Sequence, residues 1–231
     1  MLATAARVGW RGAVERHVPA SRQWQWLSSE PAAFLDLFPL ARASRVLEIG
    51  CGAGARAAGL ANEYELTVAE ACPERAAWLR LRGRQEGWQS FRLLETGWRG
   101  AAESGEQYDG VIAMPAPDGT DFLARLASLL SPRGQACIGL RKRGWTHGGW
   151  NRLRRGLARA GLRMQTAWIC PLGLERPAVM IPLQNFALGY ARSHGMMGGG
   201  RKPAWAAPLL AQAWIARRAG DWIVSLRRMD S

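Results

Sequence analysis

The sequence predicts an α/β fold with a doubly wound, mostly parallel sheet, an antiparallel final hairpin, N-terminal lid helices and a C-terminal extension. Short apolar runs alternate with helical segments over residues 45–140, as in repeated strand–helix units. Two strand-like runs at 162–169 and 178–183 have no helix between them, which indicates an antiparallel pair. The 231 residues, 48% of them hydrophobic, suffice for one core with decorations.

The predicted elements follow one another along the chain. Residues 12–40 have helical spacing and precede the first strand. That strand, at 45–50, is a short apolar run that ends in glycine, as a buried parallel strand before a tight turn does. The later predicted elements are strands at 66–70, 90–94, 108–114 and 134–140 and helices at 55–62, 73–87, 122–130 and 150–161.

The charge is unevenly distributed along the predicted organisation. We expect a helical cap at 1–44, a sheet domain at 45–183 and a basic extension at 184–231 packed on the core. The net charge of the chain is +13. Residues 141–231 alone carry 16 basic and 3 acidic side chains, a net charge of the same size. This surplus favours an anionic partner: RNA, a phosphorylated or carboxylated small molecule, or a membrane surface. Solvated arginine-rich faces are the alternative interpretation.

The four cysteines are spread without the close pairs that zinc sites favour. We therefore expect a reduced, cytoplasmic protein without a structural metal. No run of about 18 apolar residues is present, so we expect no stable membrane insertion.

Gly50, Gly52 and Gly54 directly follow the first predicted strand. Glycines at this place allow a tight turn and a close approach of the backbone to a ligand at a helix N-terminus. The loop alone fits two cofactors, because it also matches a dinucleotide fingerprint ending at Ala55. Glu70, about 20 residues later, is placed to hold ribose hydroxyls in either case.

The run Val46–Gly54 (Val-Leu-Glu-Ile-Gly-Cys-Gly-Ala-Gly) resembles the first motif of the Rossmann-like (class I) methyltransferases that use S-adenosylmethionine (SAM). Tyr108–Ala113 resembles the fourth strand of that family, and Leu129–Gly134 resembles its approach to the fifth. No tyrosine is followed four residues later by a lysine, which argues against a short-chain dehydrogenase. The resemblance implies a SAM-dependent methyltransferase that releases S-adenosylhomocysteine (SAH).

The resemblance also implies roles for individual residues. The glycine loop would pass against the methionine part and the ribose, Glu48 would position the amino-acid end through water or the loop backbone, and Glu70 would accept both ribose hydroxyls. Adenine would stack near Ala71 and Cys72. After the third strand, where the family often has an aspartate, this chain has Glu-Thr-Gly-Trp at 95–98. The predicted cofactor residues are Glu48, Gly50, Cys51, Gly52, Gly54, Glu70, Ala71, Thr96 and Met114.

The acceptor is less constrained, because methyl transfer is an in-line displacement for which a general base is optional. Met114-Pro-Ala-Pro117 lacks the Asn or Asp with which enzymes that methylate nucleobase amines hold the amine. His147 and Asp118 are the candidate bases, both placed after strands of the predicted sheet. We expect O- or N-methylation of a small or medium-sized, anionic metabolite or natural product, or of a peptide. The alternatives are an RNA methyltransferase that uses the basic C-terminal segment and a non-catalytic methyltransferase-like partner protein.

Five of the 12 tryptophans lie in segments predicted to cap the mouth of the cofactor site. They either line a substrate pocket or pack the lid helices onto the core. These residues are Trp10, Trp24, Trp26, Trp145 and Trp150.

Overall fold

A computed structural model of the chain describes residues 1–27, 34–35, 38, 40–117, 120–141, 149–171, 173–174, 180–183 and 221–229. The described strands are β1 (Arg45–Ile49), β2 (Glu65–Ala69), β3 (Phe91–Leu94), β4 (Tyr108–Ala113), β5 (Leu130–Leu140), β6 (Leu162–Cys170), β7 (Ile181–Pro182) and β8 (Asp221–Arg228). The described helices are α1 (Leu2–His17), α2 (Ala20–Leu27), α3 (Ala55–Leu60), α4 (Pro73–Glu86), α5 (Trp98–Glu103), α6 (Thr120–Leu129) and α7 (Gly149–Arg159).

These strands form one eight-stranded sheet in the order β3-β2-β1-β4-β5-β8-β6-β7. β1 pairs in parallel with β2 and with β4, while β2 pairs in parallel with β3 and β4 with β5. The predicted doubly wound, mostly parallel sheet is thus confirmed. The chain order reverses between β1 and β4, and a crevice for ligands forms at the carboxyl ends of strands at such a switch point.

The far end of the sheet is antiparallel, as predicted. β6 pairs with β7 through Trp168–Pro182 and Ile169–Ile181, so the predicted hairpin partner at 178–183 contributes a two-residue strand. The longer antiparallel partner is β8, which lies between β5 and β6. These residues belong to the predicted extension at 184–231. Trp222–Leu226 are all buried because this strand is internal to the sheet and covered on both faces.

Both faces of the sheet are covered. Val111 belongs to the apolar cluster that α6 and α7 complete through residues such as Phe122 and Leu157. Its neighbour Ile112 points to the opposite cluster, which includes Leu60 of α3 and Leu79 of α4. Consecutive side chains of a strand alternate between faces, so the continuous apolar runs of the central strands require this two-sided burial. No helix among the described residues is long and apolar enough to cross a bilayer.

Helix α1 docks on α4, and α2 packs against α1 and α3. The ring of Trp78 on α4 meets Trp10 and Trp26 edge-on, at centroid distances of 6.5 and 5.2 Å. Gln85, also on α4, accepts a hydrogen bond from the backbone N–H of Trp10 and donates one to the carbonyl of Ala5. The N-terminal helices are therefore held by specific aromatic and amide contacts to one helix of the domain.

The turn predicted at residues 131–134 is an irregularity within β5. Tyr108 pairs with Leu130, and the next pair of the ladder joins Gly110 to Gln135. A Cβ atom on Gly134 would lie 2.9 to 3.0 Å from three backbone atoms, two in Ser131 and one in Tyr108. Backbone atoms within a ladder cannot move aside as a flexible side chain can.

We expect Gly134→Ala to lower the free energy of unfolding by about 2 kcal/mol or more, the cost of overpacking a rigid site. Urea denaturation would measure this. Gly156→Ala is the matched control, since its Cβ would meet Leu123 Cδ1 at 3.4 Å, within ordinary contact, inside helix α7. That variant should gain up to about 1 kcal/mol from helix propensity. Equal losses in both variants would contradict the proposed clash.

At the amino end of the sheet, Glu106 gathers three donors. Its carboxylate accepts hydrogen bonds from Arg92 Nη1 at 2.8 Å, Tyr108 Oη at 3.2 Å and Arg45 Nη2 at 3.3 Å. The hydrogen bonds from Arg92, with the charges of both arginines, lower the pKa of Glu106 from 4.5 to about 2. Because the folded pKa is lower than the unfolded one, the stabilisation is present above about pH 4.5 and is lost as the pH falls towards 2.

We expect Glu106→Gln to destabilise the protein by less than about 1 kcal/mol at pH 7, since the ion pairs are solvent-exposed. The difference from the unsubstituted protein should narrow at pH 3. Urea unfolding at both pH values would measure it, and a difference that stays constant would contradict the assignment.

Candidate functional site

Five segments meet at the carboxyl edge of the parallel strands. The glycine loop follows β1, Glu70 follows β2, Gly97 follows β3, Pro115 follows β4 and Arg141 follows β5. They border two adjoining cavities of about 700 and 330 Å³, here called the first and second cavity. Both cavities are bordered by Gly50, the residue at the end of β1 where the chain order of the sheet reverses.

The first cavity has a polar floor and an aromatic wall. Residues 50–53 of the glycine loop, Arg56 and Met114 border it on the sheet side. Trp26 of α2 and Trp78 of α4 border it on the side of the N-terminal helices. A volume of about 700 Å³ is in the usual range of small-molecule sites.

The second cavity is smaller. Glu70, Ala71, Gly97 and Trp98 border it, and a Cβ atom on Gly97 would lie 3.7 Å from the Cβ of Ala71. Trp98 is held by an edge-on contact with Phe122, at a centroid distance of 5.4 Å. Small residues and an aromatic ring bordering a cavity of about 330 Å³ suit a flat ring as the ligand.

The three loop glycines serve two purposes. Gly50 and Gly52 have φ angles of +68° and +60°, and a Cβ atom on either would meet nothing within 4 Å. Their backbone is therefore open to a ligand. Gly54 also has a positive φ, but its Cβ would lie 2.9 Å from Leu79 Cδ2. Gly54, predicted as a cofactor contact, instead permits the close packing of the loop on α4 and does not border either described cavity.

The glycine loop is also held by hydrogen bonds from side chains of α4. The carbonyl of Ala53 accepts hydrogen bonds from Arg82 Nη1 at 2.7 Å and Trp78 Nε1 at 3.4 Å. The Arg82 guanidinium lies 4.0 Å from the centroid of the Trp10 ring and donates to Glu86 at 3.1 Å. The cap helices, α4 and the glycine loop thus form one connected packing unit.

Glu70 lies where the resemblance implies, bordering the second cavity. One carboxylate oxygen, Oε1, accepts the backbone N–H of Cys72 at 2.9 Å. The other, Oε2, is buried and has no hydrogen bond within the described part of the chain, although Arg75 Nη1 lies 4.0 Å away. An unsatisfied buried acceptor is costly, so this oxygen is suited to a donor supplied by a ligand.

Glu48 is fully buried and does not border either cavity. Its Oε1 accepts a hydrogen bond from Arg56 Nε at 2.9 Å. Burial raises the pKa of Glu48, and the charge of Arg56 opposes that shift. Arg56 Nη2 donates to the carbonyls of Gly50 at 3.0 Å and Met114 at 3.1 Å. The structure therefore places Arg56 between Glu48 and any ligand, where the sequence analysis expected water or the loop backbone.

Three further predicted cofactor residues border the cavities. Cys51 and Met114 border the first cavity, and Ala71 borders the second. Burial raises the pKa of the Cys51 thiol well above its usual value, which favours the protonated thiol.

Thr96 was included in the predicted set, but its side chain is exposed and borders neither described cavity. The next two residues, Gly97 and Trp98, border the second cavity instead. Helix α5 begins at Trp98. The contact predicted for Thr96 stays a prediction.

The candidate bases His147 and Asp118 lie outside the described residues, as does Trp145. Of the other tryptophans considered above, Trp26 borders the first cavity, while Trp10 is buried in the packing of α1 on α4. Within the described ranges, no cluster of three metal-binding side chains is found.

Arg56 and Trp78 are site residues that the sequence analysis missed. An arginine in the first turn of α3, among small residues, is the signal that could have identified Arg56. Trp78 had no such signal, because its approach to the loop depends on how α4 packs.

No protein-family model matches the chain, and no curated protein sequence matches it. Two of the solved structures that resemble it do so over almost their whole length. A TehB-like SAM-dependent methyltransferase from Corynebacterium glutamicum is 14% identical, with a TM-score of 0.51 over 99% of this chain and 98% of that one. N-methyltransferase NodS from Bradyrhizobium japonicum, in complex with SAH, is 16% identical, with a TM-score of 0.53 over 96% and 98%.

The [4+2]-cyclase SpnF is similar to the same degree, at 18% identity and a TM-score of 0.53 over 92% of this chain and 82% of that chain. At such identities the likeness establishes the fold. The chain has the Rossmann-like fold of class I SAM-dependent methyltransferases, as its sequence resemblance implied. Because a protein named as a cyclase shares this fold, the activity has to be argued from the site.

Proposed function

We propose that this chain, with the fold of the class I methyltransferases, binds SAM and transfers its methyl group to a small or medium-sized, anionic acceptor. One observation carries the proposal. The open backbone of Gly50 and Gly52 and the unsatisfied oxygen of Glu70 border adjoining cavities at the switch point of the sheet. This is a pre-formed arrangement for a ligand with a diol beside an extended chain.

The two cavities divide the cofactor between them. The second cavity would hold the adenosine, with the ring beside Ala71 and Trp98 and a ribose hydroxyl donating to Glu70 Oε2. The amino-acid end would lie along the glycine loop in the first cavity, beside Arg56 and Met114.

SAM supplies a methyl group on a sulfonium, which reacts by in-line displacement. The chain's task is therefore to orient the two reactants and exclude water. Trp26 and Trp78 provide apolar surface at the first cavity for this purpose. We retain His147 and Asp118 as candidate bases for an acceptor that must lose a proton.

The acceptor class is inferred from the charges at the first cavity. Arg75 and Arg141 border it together with Arg56, against a single described acid, Glu74. Arginines beside aromatic surface favour an acceptor that joins an apolar body to a carboxylate or phosphate. Either an oxygen or a nitrogen of such a molecule is a suitable nucleophile. The four cysteines are free thiols, consistent with the reducing cytoplasm that we propose as its compartment.

The first test is binding. Mass spectrometry of the purified protein should find SAM or SAH bound, and calorimetry should give SAH binding at one site. A protein that binds neither would be the non-catalytic, methyltransferase-like alternative.

The second test is transfer from labelled SAM to panels of carboxylated and phosphorylated small molecules, peptides and RNA. We expect label in a small acid. Transfer to RNA, with binding that weakens steeply as salt is raised, would replace this proposal with the RNA methyltransferase alternative. SAH binding with no transfer to any panel would favour a cofactor-binding protein of another activity.

A further inference from the structure

Arg56 is a buried cation at the floor of the first cavity. Only 8% of the residue is exposed, and it borders the cavity beside the glycine loop. Three of its N–H groups are used: Nε donates to Glu48, and Nη2 donates to the carbonyls of Gly50 and Met114. These bonds hold the guanidinium in one position.

The third nitrogen, Nη1, has two more N–H groups, because a guanidinium carries five donors. Among the described residues no acceptor bonds to Nη1, and this atom is not among the enclosed polar atoms that lack a partner. Its donors are therefore available to an acceptor that enters the cavity. A fixed, partly used guanidinium with free donors is pre-organised for an anion.

We infer that Arg56 binds the carboxylate at the amino-acid end of SAM or SAH, with Glu48 as the positioning residue that holds the guanidinium. The inference rests on the proposed function. The cationic ammonium of the same end is an unsuitable partner, because Arg56 is itself a cation and already donates to the nearby carbonyls of Gly50 and Met114. Arg75 and Arg141 add to the positive charge around the cavity.

Glu48 fixes the orientation of the Arg56 guanidinium. Its carboxylate is fully buried on the far side of Arg56, with Oε2 lacking a hydrogen bond in the described part of the chain. A buried carboxylate without a cation would be strongly unfavourable, so the pair stays together and Arg56 does not swing into the cavity. The ligand thus meets a guanidinium of fixed orientation.

The test compares three ligands by calorimetry on the full chain. SAH has both charged groups of the amino-acid end, its decarboxylated analogue lacks only the carboxylate, and 5′-methylthioadenosine lacks the whole end. We expect the unsubstituted protein to bind SAH more tightly than the decarboxylated analogue. In Arg56→Met, SAH affinity should fall about 10- to 100-fold, as expected for loss of charge-assisted hydrogen bonds. The other two ligands should bind as before.

Arg82→Met is the matched control, since Arg82 is also buried and also bonds the glycine loop, but borders neither cavity. Any loss from a loosened loop should affect all three ligands alike. If Arg56→Met does so as well, Arg56 only supports the loop and the inference is wrong. Tighter binding of SAH to Arg56→Met would equally overturn it, because Arg56 would then compete with the ligand ammonium.

Should Arg56→Met fail to fold, Arg56→Lys keeps a cation opposite Glu48 but has fewer donors. This variant should bind SAH more weakly and the other two ligands as before. The unsubstituted protein distinguishes failure of the proposed function from failure of this inference. If it does not bind SAH, the cofactor assignment is wrong. If it binds SAH and the decarboxylated analogue equally well, only the role of Arg56 is wrong.

Discussion

Gly52→Arg is expected to abolish SAH binding, with a loss of at least about 100-fold in affinity. Gly52 has a φ of +60° and faces open space at the first cavity, so any side chain there occupies the volume that a ligand needs. The added guanidinium also brings a second cation beside Arg56. The variant should still fold, because a Cβ at this position meets nothing within 4 Å and the left-handed backbone costs about 1 to 2 kcal/mol.

Gly87→Arg separates that backbone strain from the loss of the site. Gly87 ends α4 with a φ of +69°, and its Cβ would also meet nothing within 4 Å. It borders neither described cavity. Both variants should lose similar stability in thermal unfolding, while only Gly52→Arg loses SAH in calorimetry. Unchanged SAH affinity in Gly52→Arg would remove the glycine loop from the site.

Glu70→Ala is expected to weaken SAH binding by about 10- to 100-fold, the range for a hydrogen bond to a charged group. Oε2 of this carboxylate is buried without a hydrogen bond in the described structure, so a ribose hydroxyl would satisfy an acceptor that is otherwise left alone. Without ligand the variant should lose only about 1 kcal/mol of stability, because Oε1 accepts one hydrogen bond, from the backbone N–H of Cys72, while Oε2 has none. Calorimetry and thermal unfolding would measure the two effects.

Glu65→Ala is the control for the loss of charge. Glu65 lies at the exposed start of β2, the same strand that leads to Glu70 at its other end. We expect its SAH affinity to stay within about twofold, since the side chain is exposed and distant along the strand. Equal losses in the two variants would indicate a general electrostatic effect and contradict a contact between Glu70 and the ribose.

The joint outcome of these two variants also tests how the cavities divide the ligand. Gly52 borders the first cavity and Glu70 the second. 5′-Methylthioadenosine lacks the amino-acid end, so Glu70→Ala should weaken its binding as much as it weakens the binding of SAH. Arg56→Met should not weaken it. This contrast would place the nucleoside and the amino-acid end in separate cavities.

The parallel part of the sheet could be predicted because each strand there is a short apolar run bounded by turn residues. The run Arg45–Ile49 and its glycine loop depend on local properties: burial on both faces, then a left-handed backbone that glycine adopts freely. The position of β8 could not be predicted in this way. Its apolar run indicates a buried strand, but only pairing with β5 and β6, far away in the sequence, decides where it lies.

The site residues likewise divide into those that local sequence predicts and those that only packing decides. Gly52 and Glu70 were identified because spacing from a strand end fixes where such residues emerge. Gly54 has the same local signal as Gly52, yet the packing of Leu79 gives it a different role. Gly97 and Trp98, and not their neighbour Thr96, border the second cavity, and spacing along the chain could not distinguish these three positions.

The sequence by itself determined the strand–helix alternation, the glycine loop and the acid after the second strand, because these depend on residues close together in the chain. Tertiary structure alone decided that β8 is internal to the sheet, that Trp26 and Trp78 form a wall of the first cavity, and that Arg56 stands between Glu48 and the ligand space. These features depend on contacts between separate helices, strands and loops. Such contacts contribute to stability only once the elements have packed together.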